Sequence, residues 1–324
     1  MYCPRLNHFV RLNANGTLSL CGHMVSPPQF ASYSELENSE WLREVVTTMT
    51  DDAWPAECIR CEKSEAVGEK SIRQYTLDEW QRPQKRGDYL QVGGVLDNVC
   101  NAACQTCNEH HSTFLGAKKS IPIRVDNRSK LQELPWDQIT HLDLNGGEPS
   151  YSKGYKDLLK NPPPNLTHLR LNTNCNTTLW ELGSLADSGV HVTVTVSLDG
   201  IGRVHEYMRW PIPWAEFFQN LKRYQNMPVA LNTWTTLSAL NIGDFNNIVA
   251  FTKEHGIDHS WAFLENPDVL NVKYANYMTT WAKVQLPENV AKMVAIEENN
   301  QTELDTYIQQ QDTIRGIKIK DYIK

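Results

Sequence analysis

The sequence predicts an α/β protein: a parallel sheet of strand-then-helix units, open or curled into part of a barrel, preceded by a small hairpin-and-helix module. Three observations carry this. After about Gly87, six short runs rich in Val, Leu and Thr alternate with segments long enough for helices, the order that gives parallel strands joined by right-handed crossovers. Before it, Asn15-Gly16 stands between HFVRL and TLSL as a hairpin turn. The chain has 324 residues, enough for about two domains and a substantial core.

In order along the chain, the hairpin comes first, with Cys21 closing its second strand. Glu40 to Thr50 follows as a short amphipathic helix, with Trp41, Leu42, Val45, Val46 and Met49 at helical spacing. It delivers the chain to Cys58-Ile-Arg-Cys61. The polar run from Glu62 to Asp88, including QRPQKRGD, reads as a connector beyond a helix near Leu77 to Gln81. The expected division is therefore residues 1–87, 88–265 and 266–324. Strands are expected at Tyr89 to Leu96, Ile139 to Asn145, Leu166 to Asn172, His191 to Leu198, Val229 to Leu237 and Ser260 to Leu264. Helices are expected at Ser152 to Lys160, Thr178 to Ser188, Ala215 to Asn226 and Ile242 to His255. In such folds function gathers beyond the C-terminal ends of the strands. From Leu286 to Lys324 the chain is polar and reads as a helical tail along the sheet edge, with no chemistry assigned.

Composition narrows the class. Hydrophobic residues make up 40% and charged ones 21%, the balance of a globular protein. With 31 basic and 38 acidic residues the net charge is −7, and a negative field repels phosphate backbones, leaving nucleic acid at most a local patch. No run approaches the ~18 apolar residues of a membrane helix, and MYCPRLNHFV lacks the profile of a signal peptide, so a cytoplasmic location is expected with no membrane partner. In a reducing compartment the 8 cysteines point to metal or redox chemistry more than to disulfides. They divide into Cys3, Cys21, Cys58 and Cys61, then Cys100, Cys104 and Cys107, then Cys175 alone.

Cys100, Cys104 and Cys107 lie in DNVCNAACQTCN, directly after the first strand of the parallel series. Three thiolates on a four-iron cube leave one iron open for substrate or cofactor. The same residues also read as buried small side chains, or as a zinc site completed by His110 or His111. Further strand ends carry Gly146-Gly147-Glu148-Pro149, Thr173-Asn174 and Ser197-Leu198-Asp199-Gly200, the last followed by His205-Glu206-Tyr207-Met208-Arg209. Alone each is a common turn or strand stop. Together and in order, over Tyr89 to Glu265, they resemble the radical SAM superfamily: CxxxCxxC, GGEP, a Thr-Asn-Gly position and SLDG with HxxxR.

That resemblance implies a partial (β/α)6 TIM-like barrel in which Cys100, Cys104 and Cys107 hold a [4Fe-4S] cluster that binds S-adenosylmethionine. Gly146, Gly147 and Glu148 would receive the ammonium of S-adenosylmethionine, Arg209 and Ser197 its carboxylate, Asn174 and Asp199 the ribose or carboxylate, and the backbone near Thr106 the adenine. Asn232 is a weaker candidate for the ribose, and His205 for orienting Arg209. Two positions depart from the family: Thr106 replaces a frequent aromatic before the third cysteine, and Cys175 stands where glycine follows Thr-Asn. The N-terminal pattern, Cys3, then Gly16 and Cys21 in G-x4-C, then Cys58-x-x-Cys61, resembles the half-SPASM or twitch domain placed before the barrel. It implies an auxiliary [4Fe-4S] cluster on four thiolates, although four thiolates suit structural zinc equally well.

The function implied is reductive cleavage of S-adenosylmethionine to a 5′-deoxyadenosyl radical and hydrogen abstraction from a peptide or protein, with the auxiliary cluster accepting an electron and a flavodoxin or ferredoxin as reductant. Modification of nucleic acid, a sugar or a nucleotide is the alternative within that chemistry. A non-catalytic zinc-binding interaction module is the alternative outside it.

Overall fold

The computed structural model describes residues 1–79, 89–274, 286, 288–294 and 301–323. Its strands are β1 (Phe9–Leu12), β2 (Leu18–Ser19), β3 (Leu90–Val95), β4 (Ile139–Asn145), β5 (His168–Thr173), β6 (His191–Ser197), β7 (Ala230–Leu237) and β8 (Asp258–Phe263). They form one sheet in the order β2-β1-β3-β4-β5-β6-β7-β8. Every neighbouring pair is parallel except β1 with β2. The six expected strands are thus β3 to β8, consecutive in sequence and in space.

Alternation explains the layering. In β6, Val192, Val194 and Val196 are buried while Thr193, Thr195 and Ser197 are half-buried on the other face, because successive side chains of a strand point to opposite sides. The valine face packs with Leu169 and Leu171 of β5 and Leu142 and Leu144 of β4 into one core. Tyr155, Leu158, Leu182, Phe217 and Leu221 from the crossover helices cover it. These helices run Lys153–Lys160, Glu181–Asp187, Trp214–Gln225 and Phe245–Glu254, close to the expected ranges. The opposite sheet face is polar, carrying His141, Asp143, Arg170, Thr193 and Asn232.

The N-terminal hairpin differs from expectation in two respects. Its turn begins at Asn13, whose carbonyl accepts from Gly16 N at 3.1 Å, and Gly16 takes a φ of +81°; Cys21 lies beyond the end of β2. More consequentially, β1 pairs in parallel with β3, Arg11 opposite Gly93 and Leu12 opposite Gly94, so the hairpin extends the main sheet. The adjacent glycines permit it: a Cβ on Gly94 would overlap the Leu12 backbone, and one on Gly93 would meet the Phe9 ring at 2.5 Å.

Glu40–Thr50 is the expected helix, capped by Ser39 Oγ, which accepts from Leu42 N at 3.1 Å, and anchored by Leu42, Val45 and Met49. The helix expected at 77–81 is Ile72–Glu79 within the described residues; residues 80 and 81 and the division near Gly87 lie outside them. In the tail, helix Gln301–Arg315 buries Leu304 and Ile308 against Leu237, Leu264, Leu270 and Val272, a second core beside β7 and β8. It also reaches the three-cysteine loop, which a helix lying only along the sheet edge would not do. No helix among the described residues is long and apolar enough to cross a membrane.

Candidate active site

The loop after β3 is held by its own polar side chains. Asn98 Nδ2 donates to Ile123 O at 2.9 Å and its Oδ1 accepts from Val125 N at 2.9 Å. Asp97 accepts from Val99 N at 3.0 Å and from Ser152 Oγ. Cys100 N donates to Thr113 Oγ1 at 3.1 Å, and Ser112 Oγ to Ala102 O at 2.6 Å. On its far side the loop donates from Ala103 N to Trp210 O and from Gln105 N to Met208 O, both at 2.8 Å. The segment carrying Cys100, Cys104 and Cys107 is thereby bonded to the end of the HxxxR segment that follows β6.

Gly146 and Gly147, after β4, have φ of +82° and +54°. A Cβ on Gly147 would stand 2.6 Å from Val99 O, so glycine is what lets this turn lie against the cysteine loop. Glu148 N donates to Val99 O at 2.7 Å, and Gly147 N to His111 O at 3.1 Å. The Glu148 carboxylate is buried and already engaged: Oε1 accepts from Ser150 N, Ser150 Oγ and Thr173 Oγ1, and Oε2 from Asn174 N at 2.6 Å. Burial raises its pKa against these hydrogen bonds. It therefore ties the β4 turn to the end of β5, a different task from the open acceptor expected.

Asn174 continues the chain of contacts, its Nδ2 donating to Asn101 Oδ1 at 2.9 Å. Cys175 is fully buried, with a φ of +61° and Sγ 3.7 Å from Phe217 O. The left-handed conformation accounts for the glycine expected there, and burial makes the thiol a packing group. Ser197 ends β6 opposite Trp234. Asn232, in β7, leaves a buried Oδ1 without a partner. Thr106 is half-buried in the loop.

Arg209 is half-buried with its Nη1 3.3 Å from Cys104 Sγ. Its Nε lies 3.1 Å from Asp199 Oδ2, an ion pair whose angle falls short of a hydrogen bond. Burial opposes its charge, yet Cys104 and Asp199 raise its pKa overall. Asp199 also accepts from Thr236 N at 2.9 Å, and burial pushes its pKa up. The expected fork toward a free carboxylate is thus partly occupied by protein groups. His205 packs its ring 4.1 Å from Phe217; burial drives its pKa well below the usual value, with the Arg209 charge adding to the shift and the Gly200 backbone opposing it. Its ring packing seats the arginine's helix.

Each cysteine set is brought together. Burial raises Cys100 and Cys107, the latter to about 12, and both also feel the charge of Cys104. Cys3 and Cys58 are raised to about 12 by burial, with further contributions from Cys21 and Cys61. The Cys21 and Cys58 loops are joined by Val25 N donating to Glu57 O at 2.9 Å. Among the described residues no group of three or more His, Cys, Asp or Glu is arranged to hold a single metal ion. A four-iron cube takes its thiolates at the corners of a larger body, so its ligands need not converge on one point. Soft thiol donors with a guanidinium on Cys104 fit that anionic group. His111 is turned to Asn108 Oδ1, 3.0 Å from its Nδ1.

Sequence reasoning missed Arg315, Asn101 and the pair Asp97 and Ser152. Arg315 Nε donates to Ala103 O at 2.7 Å and Nη2 to Cys104 O at 2.9 Å. A polar helix 211 residues downstream of Cys104 offers no local sign of this contact.

No protein-family model matches the chain, and no curated protein matches it. It is similar to a solved structure of native anSMEcpe with bound AdoMet, at 14% identity and a TM-score of 0.39 over 54% of this chain and 53% of that one. It is also similar to Streptococcus suis SuiB bound to S-adenosylmethionine, at 14% identity and 0.41 over 86% and 68%, and to SuiB bound to precursor peptide SuiA, at 13% identity and 0.38 over 96% and 70%. The chain thus spans about half the length of the first of these, 53% of it.

Proposed function

We propose that this chain is a radical S-adenosylmethionine enzyme in which Cys100, Cys104 and Cys107 hold a [4Fe-4S] cluster and Cys3, Cys21, Cys58 and Cys61 an auxiliary one. The observation that carries the reading is the convergence of separate strand ends on one loop. Glu148 N is bonded to Val99 O, Asn174 Nδ2 to Asn101 Oδ1 and Arg209 Nη1 to Cys104 Sγ. When bound, the cluster would supply the electron that cleaves S-adenosylmethionine to methionine and a 5′-deoxyadenosyl radical able to take hydrogen from a substrate.

The chain's own residues bind and orient. The left-handed Gly146-Gly147 turn offers backbone acceptors to an ammonium, and Glu148 keeps that turn in shape through four hydrogen bonds. Arg209, steadied by Asp199, places positive charge beside Cys104. Ser197 and Asn232, at the polar face of the sheet, provide a hydroxyl and an unpaired carbonyl for the carboxylate and ribose, and the backbone at Thr106 receives the adenine edge. Residues 1–87 form the auxiliary-cluster unit, 88–265 the catalytic unit and 266–324 a helical extension. The substrate class is a peptide or protein, as the resemblance to the radical SAM superfamily implies, and the reductant a flavodoxin or ferredoxin.

Anaerobic reconstitution with iron and sulfide counting, joined to a 5′-deoxyadenosine assay under a strong reductant, tests this. About eight irons per chain and 5′-deoxyadenosine are expected for two four-iron clusters. Cys104→Ala should abolish cleavage and leave the auxiliary cluster intact. Zinc in place of iron, with no 5′-deoxyadenosine, would make the protein a binding module.

A further inference from the structure

We propose that Arg315 is a positioning residue for the three-cysteine loop, making the C-terminal helix a part of the metal site; this rests on the reading of that loop as the cluster's holder. The loop's backbone shows why it is needed. The amides of Ala103 and Gln105 are satisfied by Trp210 O and Met208 O. The carbonyl of Ala103 accepts from Arg315 Nε at 2.7 Å, and that of Cys104 from Arg315 Nη2 at 2.9 Å beside Cys107 N at 3.3 Å. A buried carbonyl left unpaired is costly, so the guanidinium completes the hydrogen bonding at Ala103 and adds a charged donor at Cys104.

The guanidinium is itself held. Its Nη1 donates to Gln311 O at 3.0 Å and Gln311 Oε1 at 2.7 Å. The same helical turn is pinned by Asp312, whose Oδ1 accepts from Tyr207 OH at 2.9 Å and Oδ2 from Ile319 N at 2.7 Å. Arg209 has Asp199 as counter-charge, whereas Arg315 is 3% exposed and no carboxylate pairs with it among the described residues. A buried guanidinium without an anion is expensive. The groups whose negative charge would act on it are Cys104 first, then Tyr207, Tyr307 and Cys107. An anionic cluster held on these thiolates would supply the missing partner, and the Arg315 guanidinium would favour its reduced form.

The test compares reconstituted wild type, Arg315→Lys and Arg315→Gln by iron per chain, and by potentiometric titration with EPR detection of each cluster. The auxiliary cluster serves as internal reference. Expected for Arg315→Gln are loss of loop-bound iron and a negative shift of the loop cluster's midpoint alone. Arg315→Lys should restore the midpoint while leaving the loop amides faster in hydrogen exchange. An Arg315→Gln protein with full iron and an unmoved midpoint overturns the inference. So do equal losses in both variants accompanied only by a lower Tm. Should Arg315→Gln not fold, the Lys variant decides alone: native exchange at residues 103–105 refutes a positioning role. A wild type that takes no iron at this loop ends the underlying reading and the inference together, a result distinct from those above.

Discussion

His141, on the polar face of β4, shows how much a single register position can demand. It is buried, stacks on His168 at 4.3 Å between ring centroids, and faces His191 one strand further. Burial first, then the charges of His168 and Arg170, lower its pKa to about 3. An unfolded histidine titrates near ~6.5, so below that pH the unfolded chain binds a proton that the folded chain refuses. The stability held above ~pH 6.5 is therefore lost as pH falls toward about 3, at up to about 1.4 kcal/mol per pH unit. Urea midpoints at pH 7.5 and 5 should fall further for wild type than for His141→Gln. Equal falls would assign the acid sensitivity elsewhere. At the candidate site the same rule of burial operates with partners present: burial pushes Glu148 and Asp199 up, while backbone amides and hydroxyls at Glu148, and Arg209 and the Thr236 amide at Asp199, oppose the shift.

Among the elements, the helix Lys153–Lys160 links the glycine turn to the cysteine loop. Ser152 caps it, accepting from Tyr155 N at 3.3 Å, and its hydroxyl donates to Asp97. Ser152→Ala removes about 1 kcal/mol of capping and leaves buried Asp97 short of a donor at about 1–3 kcal/mol. Urea unfolding should show both losses, with Ser152→Thr close to wild type; an Ala variant of unchanged midpoint would mean that Asp97 finds another donor. The elements themselves were legible because their signals are local: the Val192, Val194, Val196 alternation gives a strand, and Leu42, Val45 and Met49 after Ser39 give a helix. The cysteine loop and the GGEP turn were legible for the same reason. Arg315 was not, since its partners lie on a loop 211 residues away and a lone arginine in a polar helix looks solvated. Nor was the occupation of Glu148, which depends on how β4 and β5 ends meet.

At the scale of the whole molecule, the pairing of β1 with β3 was the least legible feature, because parallel register between strands some 80 residues apart leaves no periodic trace. Only Gly93-Gly94, small enough for a close neighbouring strand, hinted at it. The pairing changes what the N-terminal segment is. Leu6, Val10, Leu12, Leu18 and Leu20 belong to the same buried core as Leu90 and Val92. Each such side chain contributes about 1.5–3 kcal/mol by burial. Removing residues 1–30 would take that contribution away and bare the β3 edge, with its unpaired backbone groups and two glycines, as a template for association. The truncated chain should therefore aggregate or lose its cooperative unfolding transition, measured by size-exclusion chromatography and thermal melting. A detachable auxiliary module predicts the contrary: a monomeric, cooperatively melting remainder that still binds iron at Cys100, Cys104 and Cys107. Recovery of that species would show that β1 adds to the sheet without sustaining it, and that the glycine pair on β3 serves the hairpin alone.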